Sequence, residues 1–148
     1  LVFAGRNLKR DRDVVSAAVT QDGKAVQYAD ENLKGDWDVI MKAVTQNGKA
    51  LQYDDESLKQ ERALVLAAVA QDGSFLECID ARFKSDRAVV FAAVVENGEA
   101  LRHADESLRR DRDVVLAAIK QSPKALTYTS ANLKRDRAVV MAAVAQSW

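Results

Sequence analysis

"DRDVVSAAVTQDGKAVQYADENLK" fills residues 11–34, and 25 residues further on the chain reads "DWDVIMKAVTQNGKALQYDDESLK", residues 36–59. The correspondence continues without insertion or deletion. One column reads Leu8, Leu33, Leu58, Phe83, Leu108 and Leu133, and another reads Asp11, Asp36, Glu61, Asp86, Asp111 and Asp136. The column Ala18, Ala43, Ala68, Ala93, Ala118 and Ala143 does not vary. A fixed period of this length marks a repeat array, in which each copy buries its apolar face against its neighbours. Residues 1–148 therefore read as a single repeat domain, with copies at 11–35, 36–60, 61–85, 86–110 and 111–135 and partial copies at 1–10 and 136–148.

Each copy divides in two. The first piece, "DxxVVxAAVxQ", begins with an aspartate fit to accept hydrogen bonds from a helix N-terminus, and an apolar run follows at once. It predicts a helix of about three turns. Asn47-Gly48 and Asp72-Gly73 supply the stop, with glycine expected in the left-handed conformation that ends many helices. Pro123 stands in the glycine column and breaks the helix by other means. The second piece, with Ala50, Leu51 and Tyr53 close together, predicts a short helix over 49–54 and then a turn leading to Leu58. A first helix that is apolar nearly all round needs cover on several sides, and copies of itself provide it. The alanine column leaves room for close helix approach. The expectation is an all-α fold, an α-solenoid of about six 25-residue helix–turn–short-helix repeats stacked into a superhelix.

The ends lack the polar outer face of terminal repeats. The chain opens in mid-repeat and Trp148 falls in the glycine column. The expectation is a fragment of a longer array, or ends that rest on something else.

Residues 86–119, "DRAVVFAAVVENGEALRHADESLRRDRDVVLAAI", carry a resemblance. They resemble a short tandem helical repeat family catalogued only as a domain of unknown function, with the pattern D-x-x-V-V-x-A-A-V-x-x-N-G-x-A-L-x-Y-A-S-x-x-L-R. The likeness extends over essentially the whole chain. Departures are Lys42 for alanine, Pro123 for glycine, and Cys78 and His103 for tyrosine. The resemblance implies a tandem-repeat protein and brings no catalytic residues with it.

Composition narrows the function. Of 148 residues 48% are hydrophobic and 30% charged, with 22 basic side chains against 22 acidic, so no net positive charge draws the chain to nucleic acid or anionic lipid. No apolar run approaches the roughly 20 residues that span a bilayer. The segment "LVFAGRNLKRD" is too short and charged for a signal peptide. The single cysteine, Cys78, cannot form an internal disulfide. That is compatible with a reducing intracellular compartment or an organelle interior, and selects neither.

Chemistry has few footholds. His103 is the only histidine, which removes ordinary zinc sites. Cys78 and His103 share the tyrosine column, but no third orienting residue accompanies them, and substituted packing positions explain both. Asp30, Asp55, Asp80 and Asp105 form a carboxylate column that spreads along a line instead of converging, and capping or turns account for it. The reading is therefore no enzyme, no metal and no cofactor.

The candidate partner-binding residues lie in two basic ladders, Lys9, Lys34, Lys59, Lys84, Arg109 and Lys134, and Arg12, Arg62, Arg87, Arg112 and Arg137, the second interrupted by Trp37. Ion pairs between repeats are expected to neutralise much of these stripes. Glutamines 21, 46, 71, 121 and 146 are placed to bond free carbonyls at helix ends. The copies differ most at Ser16, Met41, Leu66, Phe91, Leu116 and Met141, and at Arg10, Gly35, Gln60, Ser85, Arg110 and Arg135, where specificity is expected, together with Trp37. The reading that follows is a non-enzymatic scaffold or peripheral subunit binding other protein, within a large complex. The alternative is a polyanion along the ladders, with nucleic acid disfavoured by the neighbouring carboxylates and the lack of interleaved aromatics.

Overall fold

The computed structural model describes residues 1–54 and 56–146. Asp55 of the carboxylate column and Trp148 of the glycine column lie outside the described residues. The chain forms two compact units, Leu1–Gln71 and Asp72–Trp148. The described residues contain helices and no strand, as the apolar pattern predicts.

Six ten-residue helices carry the repeat: α1 (Arg12–Gln21), α2 (Trp37–Gln46), α3 (Arg62–Gln71), α4 (Arg87–Glu96), α5 (Arg112–Gln121) and α6 (Arg137–Gln146). In the first unit α1 packs on α2 and α2 on α3; in the second α4 packs on α5 and α5 on α6. A second layer of 3₁₀ helices runs alongside, Gly23–Tyr28 against Gly48–Tyr53 in the first unit, and Gly73–Glu77, Gly98–His103 and Pro123–Tyr128 in the second. The core lies between the layers. Val15, Val19, Ile40, Ala43 and Leu51 are closed to solvent in the first unit, and Val90, Ala93, Leu101, Ala118 and Ile119 in the second. Each unit is thus a short solenoidal stack.

The predicted caps form. Asp11 Oδ1 accepts from the Asp13 and Val14 amides at 3.0 and 3.2 Å, and Asp36, Asp86, Asp111 and Asp136 repeat the pattern. These bonds satisfy amides that the first helical turn leaves free.

The glycine stop works differently from the expectation. Among the described residues no glycine has positive φ. The long helix ends instead on an extended residue, Asp22, Asn47, Asp72, Asn97 or Ser122. In the first four of these the side chain turns forward to cap the 3₁₀ helix, as when Asp22 Oδ1 accepts from the Lys24 amide at 2.9 Å. At four of these positions the next residue is a glycine with no room for a side chain, while Pro123 takes the place in the joint between α5 and α6. A Cβ on Gly23 would sit 2.3 Å from the Ala43 carbonyl oxygen, and one on Gly48 would sit 2.5 Å from that of Ala68. Gly73 meets Ala93 and Gly98 meets Ala118 in the same way, each at 2.2 Å. The glycine column and the invariant alanine column are therefore two sides of one backbone contact between neighbouring repeats.

Two further boundaries depart from the sequence reading. The short helix is 3₁₀ and begins at the glycine itself. The turn towards Leu58 is a third helical piece, either one α turn (Glu31–Lys34, Ala81–Lys84) or a 3₁₀ turn (Leu58–Gln60, Leu108–Arg110, Leu133–Arg135). The carboxylate column caps it, with Asp30, Asp80 and Asp105 accepting from the amides of Asn32, Arg82 and Ser107. A backbone bond ties this piece to the previous repeat: the amides of Asp30, Asp105 and Ser130 donate to the carbonyls of Lys9, Lys84 and Arg109 at 2.9, 2.9 and 3.1 Å.

Candidate partner-binding surface

The arginine ladder stands on the first residue of every long helix but α2, and within the units Arg12, Arg87 and Arg112 turn towards the next repeat. Arg12 Nε donates to Asp36 Oδ2 at 3.0 Å, and its Nη2 reaches Asp38 Oδ2 at 2.7 Å. In the second unit Arg87 makes the same fork to Asp111 and Asp113, at 2.8 and 3.1 Å. Arg112 faces Asp136 alone, at 3.7 Å, because Ala138 replaces the second carboxylate. The guanidinium of Arg12 holds the Asp36 carboxyl below its ordinary pKa, and that of Arg87 does the same to Asp111. Arg62 and Arg137 occupy the same exposed position on α3 and α6.

The lysine ladder is drawn into the protein. Lys9, Lys34, Lys59, Lys84 and Arg109 are half-buried and only Lys134 is exposed. Lys34 pairs with Glu31 at 2.8 Å and Lys59 with Glu56 at 3.1 Å, while Lys84 Nζ donates to the Glu77 carbonyl at 2.8 Å. Arg109 Nε is buried with no hydrogen-bond partner. Most ladder side chains thus have local partners, and exposed pairs of this kind contribute little to stability.

Glutamine amides bond back to the preceding repeat. Gln71 Nε2 donates to the Thr45 and Gln46 carbonyls, and Gln121 donates to Glu96 while accepting from the Gly98 amide.

Trp37 takes the arginine position on α2 and keeps 43% of its surface exposed. The outer faces of the long helices divide into two kinds. On α1, α2 and α5 they include Asp13 and Thr20, Asp38 and Lys42, and Asp113 and Lys120. On α3, α4 and α6 they are apolar between the polar first and last residues of the helix. On α4 the face comprises Ala88, Phe91, Ala92 and Val95, with Phe91 38% and Val95 49% exposed. On α6 Met141 is 53% exposed, between the exposed alanines 138 and 145. Phe91 and Met141 belong to the variable column singled out from sequence. Val95 does not, and the signal that finds it is the column Thr20, Thr45, Ala70, Val95, Lys120, Ala145, polar at its start and most bulky and apolar at Val95.

His103 Nε2 accepts from Arg102 Nε at 2.7 Å, and burial, together with the positive charge of Arg102, lowers its pKa. Cys78 is a free, exposed thiol. Among the described residues no cluster of three or more histidine, cysteine, aspartate or glutamate side chains is placed to hold a metal ion. Among the described residues no helix is long and apolar enough to cross a membrane.

One buried group departs from the pattern. Asp54 is 8% exposed, and neither carboxylate oxygen has a hydrogen-bond partner. The same column holds Ala29, Ile79, Ala104 and Thr129. Desolvation raises its pKa from 3.8 to about 8, opposed only by the charge of Lys59.

The model of a family described as a domain of unknown function (DUF4116) matches residues 1–34, 11–59, 36–84, 61–109, 86–134 and 111–148, so that overlapping matches tile the chain as six repeats. No curated protein and no solved structure matches the chain.

Proposed function

The chain belongs to this family of tandem helical repeats, and on that premise we propose that it is a non-enzymatic protein–protein interaction scaffold, or a peripheral subunit of a larger assembly. The observation that carries the reading is the exposed apolar outer face of α4, with Phe91 and Val95 at its centre. The side chains of the joints are used up in stacking, whereas Phe91 and Val95 leave 38% and 49% of their surface open to solvent. Contiguous exposed apolar surface of this sort marks sites of association. Charged residues on α5 beside it, Asp113 and Lys120, suit a polar rim.

Purification of the native complex tests the reading when paired with substitution. Phe91→Asp and Met141→Asp are expected to release co-purifying protein while helicity stays unchanged, and Arg12→Ala is expected to retain it. Full retention by the Phe91→Asp and Met141→Asp variants would end the proposal.

A second reading has one observation in its favour. Lys84, Arg102 and His103 gather around Glu77, and Arg109 on the same ladder carries its unpartnered Nε. A polyanion bound there would release counterions, so its affinity would fall steeply with salt. Absence of binding to heparin or mixed RNA at about 50 mM salt rules this reading out.

A further inference from the structure

In the second unit α4 and α5 run side by side in the same direction. Arg87, at the start of α4, reaches Asp111 and Asp113 at the start of α5, and Gln121, at the end of α5, donates to the Glu96 carbonyl at the end of α4. Their outer faces are therefore in register. On α4 the face is Ala88, Phe91, Ala92 and Val95, and on α5 it is Asp113, Leu116, Ala117 and Lys120. Ala92, Leu116 and Ala117 are half-buried and the others are exposed.

Each face is complementary to its own reverse. Lay a second α4 antiparallel on the first, about a two-fold axis in the plane of contact that passes between Phe91 and Ala92. Phe91 of each copy then stands opposite Ala92 of the other, and Val95 opposite Ala88. Each bulky side chain meets a small one, so the two faces interdigitate without overpacking. At the edges Arg87 comes opposite Glu96, both of them exposed. Because α5 is parallel to α4 and in register with it, the same axis brings α5 onto α5. There Leu116 meets Ala117, and Asp113 meets Lys120 with opposite charge. The Asp113 side chain is 76% exposed beside Arg87, and Lys120 has no ion pair among the described residues. The helices α1 and α2 of the first unit lack this property. On α2 Met41 would meet Lys42 and Asp38 would meet Thr45, and on α1 Asp13 would meet Thr20.

We propose that a second copy of the chain docks on this surface, α4 on α4 and α5 on α5, each pair antiparallel. This names the partner of the α4 face and rests on the reading of that face as a site of association. The occupant follows from size and charge, since the surface carries knobs, holes and both signs of charge, and its own reverse supplies their complements in the same register. The contact is isologous and closed by one two-fold axis, so assembly stops at the dimer. Two short helix faces per copy make a small interface, and the dimer is correspondingly weak, forming at micromolar concentration and above.

Sedimentation equilibrium of the 148-residue chain, from about 1 μM to about 1 mM, tests this. The wild type is expected to pass from monomer to dimer and no further. Phe91→Asp should keep it monomeric with the far-ultraviolet circular dichroism unchanged, since that side chain is exposed. Lys120→Asp sets acid against acid at both symmetric contacts, and Asp113→Lys sets base against base, so each alone should dimerise about ten-fold more weakly. An equimolar mixture of the two should dimerise again, because both contacts of the mixed pair then join opposite charges. A mixture no tighter than either variant alone would overturn the proposal. So would a wild type that stays monomeric throughout, or a dimer that Phe91→Asp leaves intact. The wider reading fails separately. A chain that is always monomeric, but whose Phe91→Asp variant still sheds a co-purifying protein, keeps α4 as an association face and removes the second copy as its occupant. Retention of that protein by a chain that never dimerises sinks both.

Discussion

The joint between α1 and α2 and the joint between α2 and α3 lie side by side in the first unit, share a backbone contact, and differ in their charged groups. In both, a glycine of the earlier repeat comes so close to an alanine carbonyl of the later one that a Cβ would stand at 2.3 or 2.5 Å. In the first joint Arg12 forks onto Asp36 and Asp38. In the second, Trp37 stands where the arginine would, and the opposite positions are Glu61 and Ala63. Beneath the first, the column before the third helical piece holds Ala29; beneath the second it holds Asp54. Both joints still bury their apolar residues fully, with Val39 and Ala43 in one and Leu64 and Ala68 in the other at 0% exposure. Stacking therefore rests on the backbone contact and the apolar columns, and the ion pairs are decoration that a joint can lose.

Breaking the shared element should have the largest effect. Gly23→Ala forces a methyl onto a backbone carbonyl that cannot swing aside, and should cost about 3 kcal/mol or open the joint, as chemical denaturation of the variant would reveal. Gly35→Ala is the control. Its added Cβ comes no nearer than 3.7 Å to any other atom, so stability should move by less than about 0.5 kcal/mol.

The buried carboxylate of the second joint should have the next largest effect. The Asp54 pKa is raised from 3.8 to about 8, so between those values the folded chain holds a proton that the unfolded chain has released. Its contribution is present in full below pH 4 and is lost as pH rises towards 8. Thermal melts of the wild type should therefore fall in midpoint across that range, by more than those of Asp54→Ala. At pH 8 the alanine variant should be more stable by about 1–3 kcal/mol, the usual cost of an unsatisfied buried polar group. A variant that is no more stable at pH 8 would mean that Asp54 finds a partner in solution.

The element that differs by charge should matter least. Arg12→Ala is expected to leave the melting temperature nearly unchanged at physiological salt, with a small loss appearing only at low ionic strength. A large loss at every salt concentration would show that the fork holds the first joint, and the two joints would then be built on different principles.

Much of this fold is legible in the sequence because repetition separates structure from accident. The aspartate caps, the long helices and the pairing of arginines with the next repeat's carboxylates all follow from columns that local chemistry explains. The glycine column was legible as a break but not as to its cause. Its backbone geometry is ordinary, and the constraint comes from Ala43, Ala68, Ala93 or Ala118 in the following repeat, which no local rule brings to mind. The third helical piece escaped because one turn of helix has no periodicity to read. The candidate surface was half legible: the variable column points to Phe91 and Met141 and the carboxylates beside the basic ladders point to pairing, whereas Val95 lies outside the columns that vary most. Asp54 could have been found, since it is a charge in a column otherwise of Ala29, Ile79, Ala104 and Thr129.

The glycine–alanine contact also acts as a ruler for the gene. At Gly23, Gly48, Gly73 and Gly98 the contact is made from the same two backbone positions, and Pro123 holds the place in the last joint, so gaining or losing one full copy of 25 residues keeps the register of the joints. A change of any other length would misplace both. Array length can therefore change in whole copies without disturbing a joint, while the outer faces diverge residue by residue.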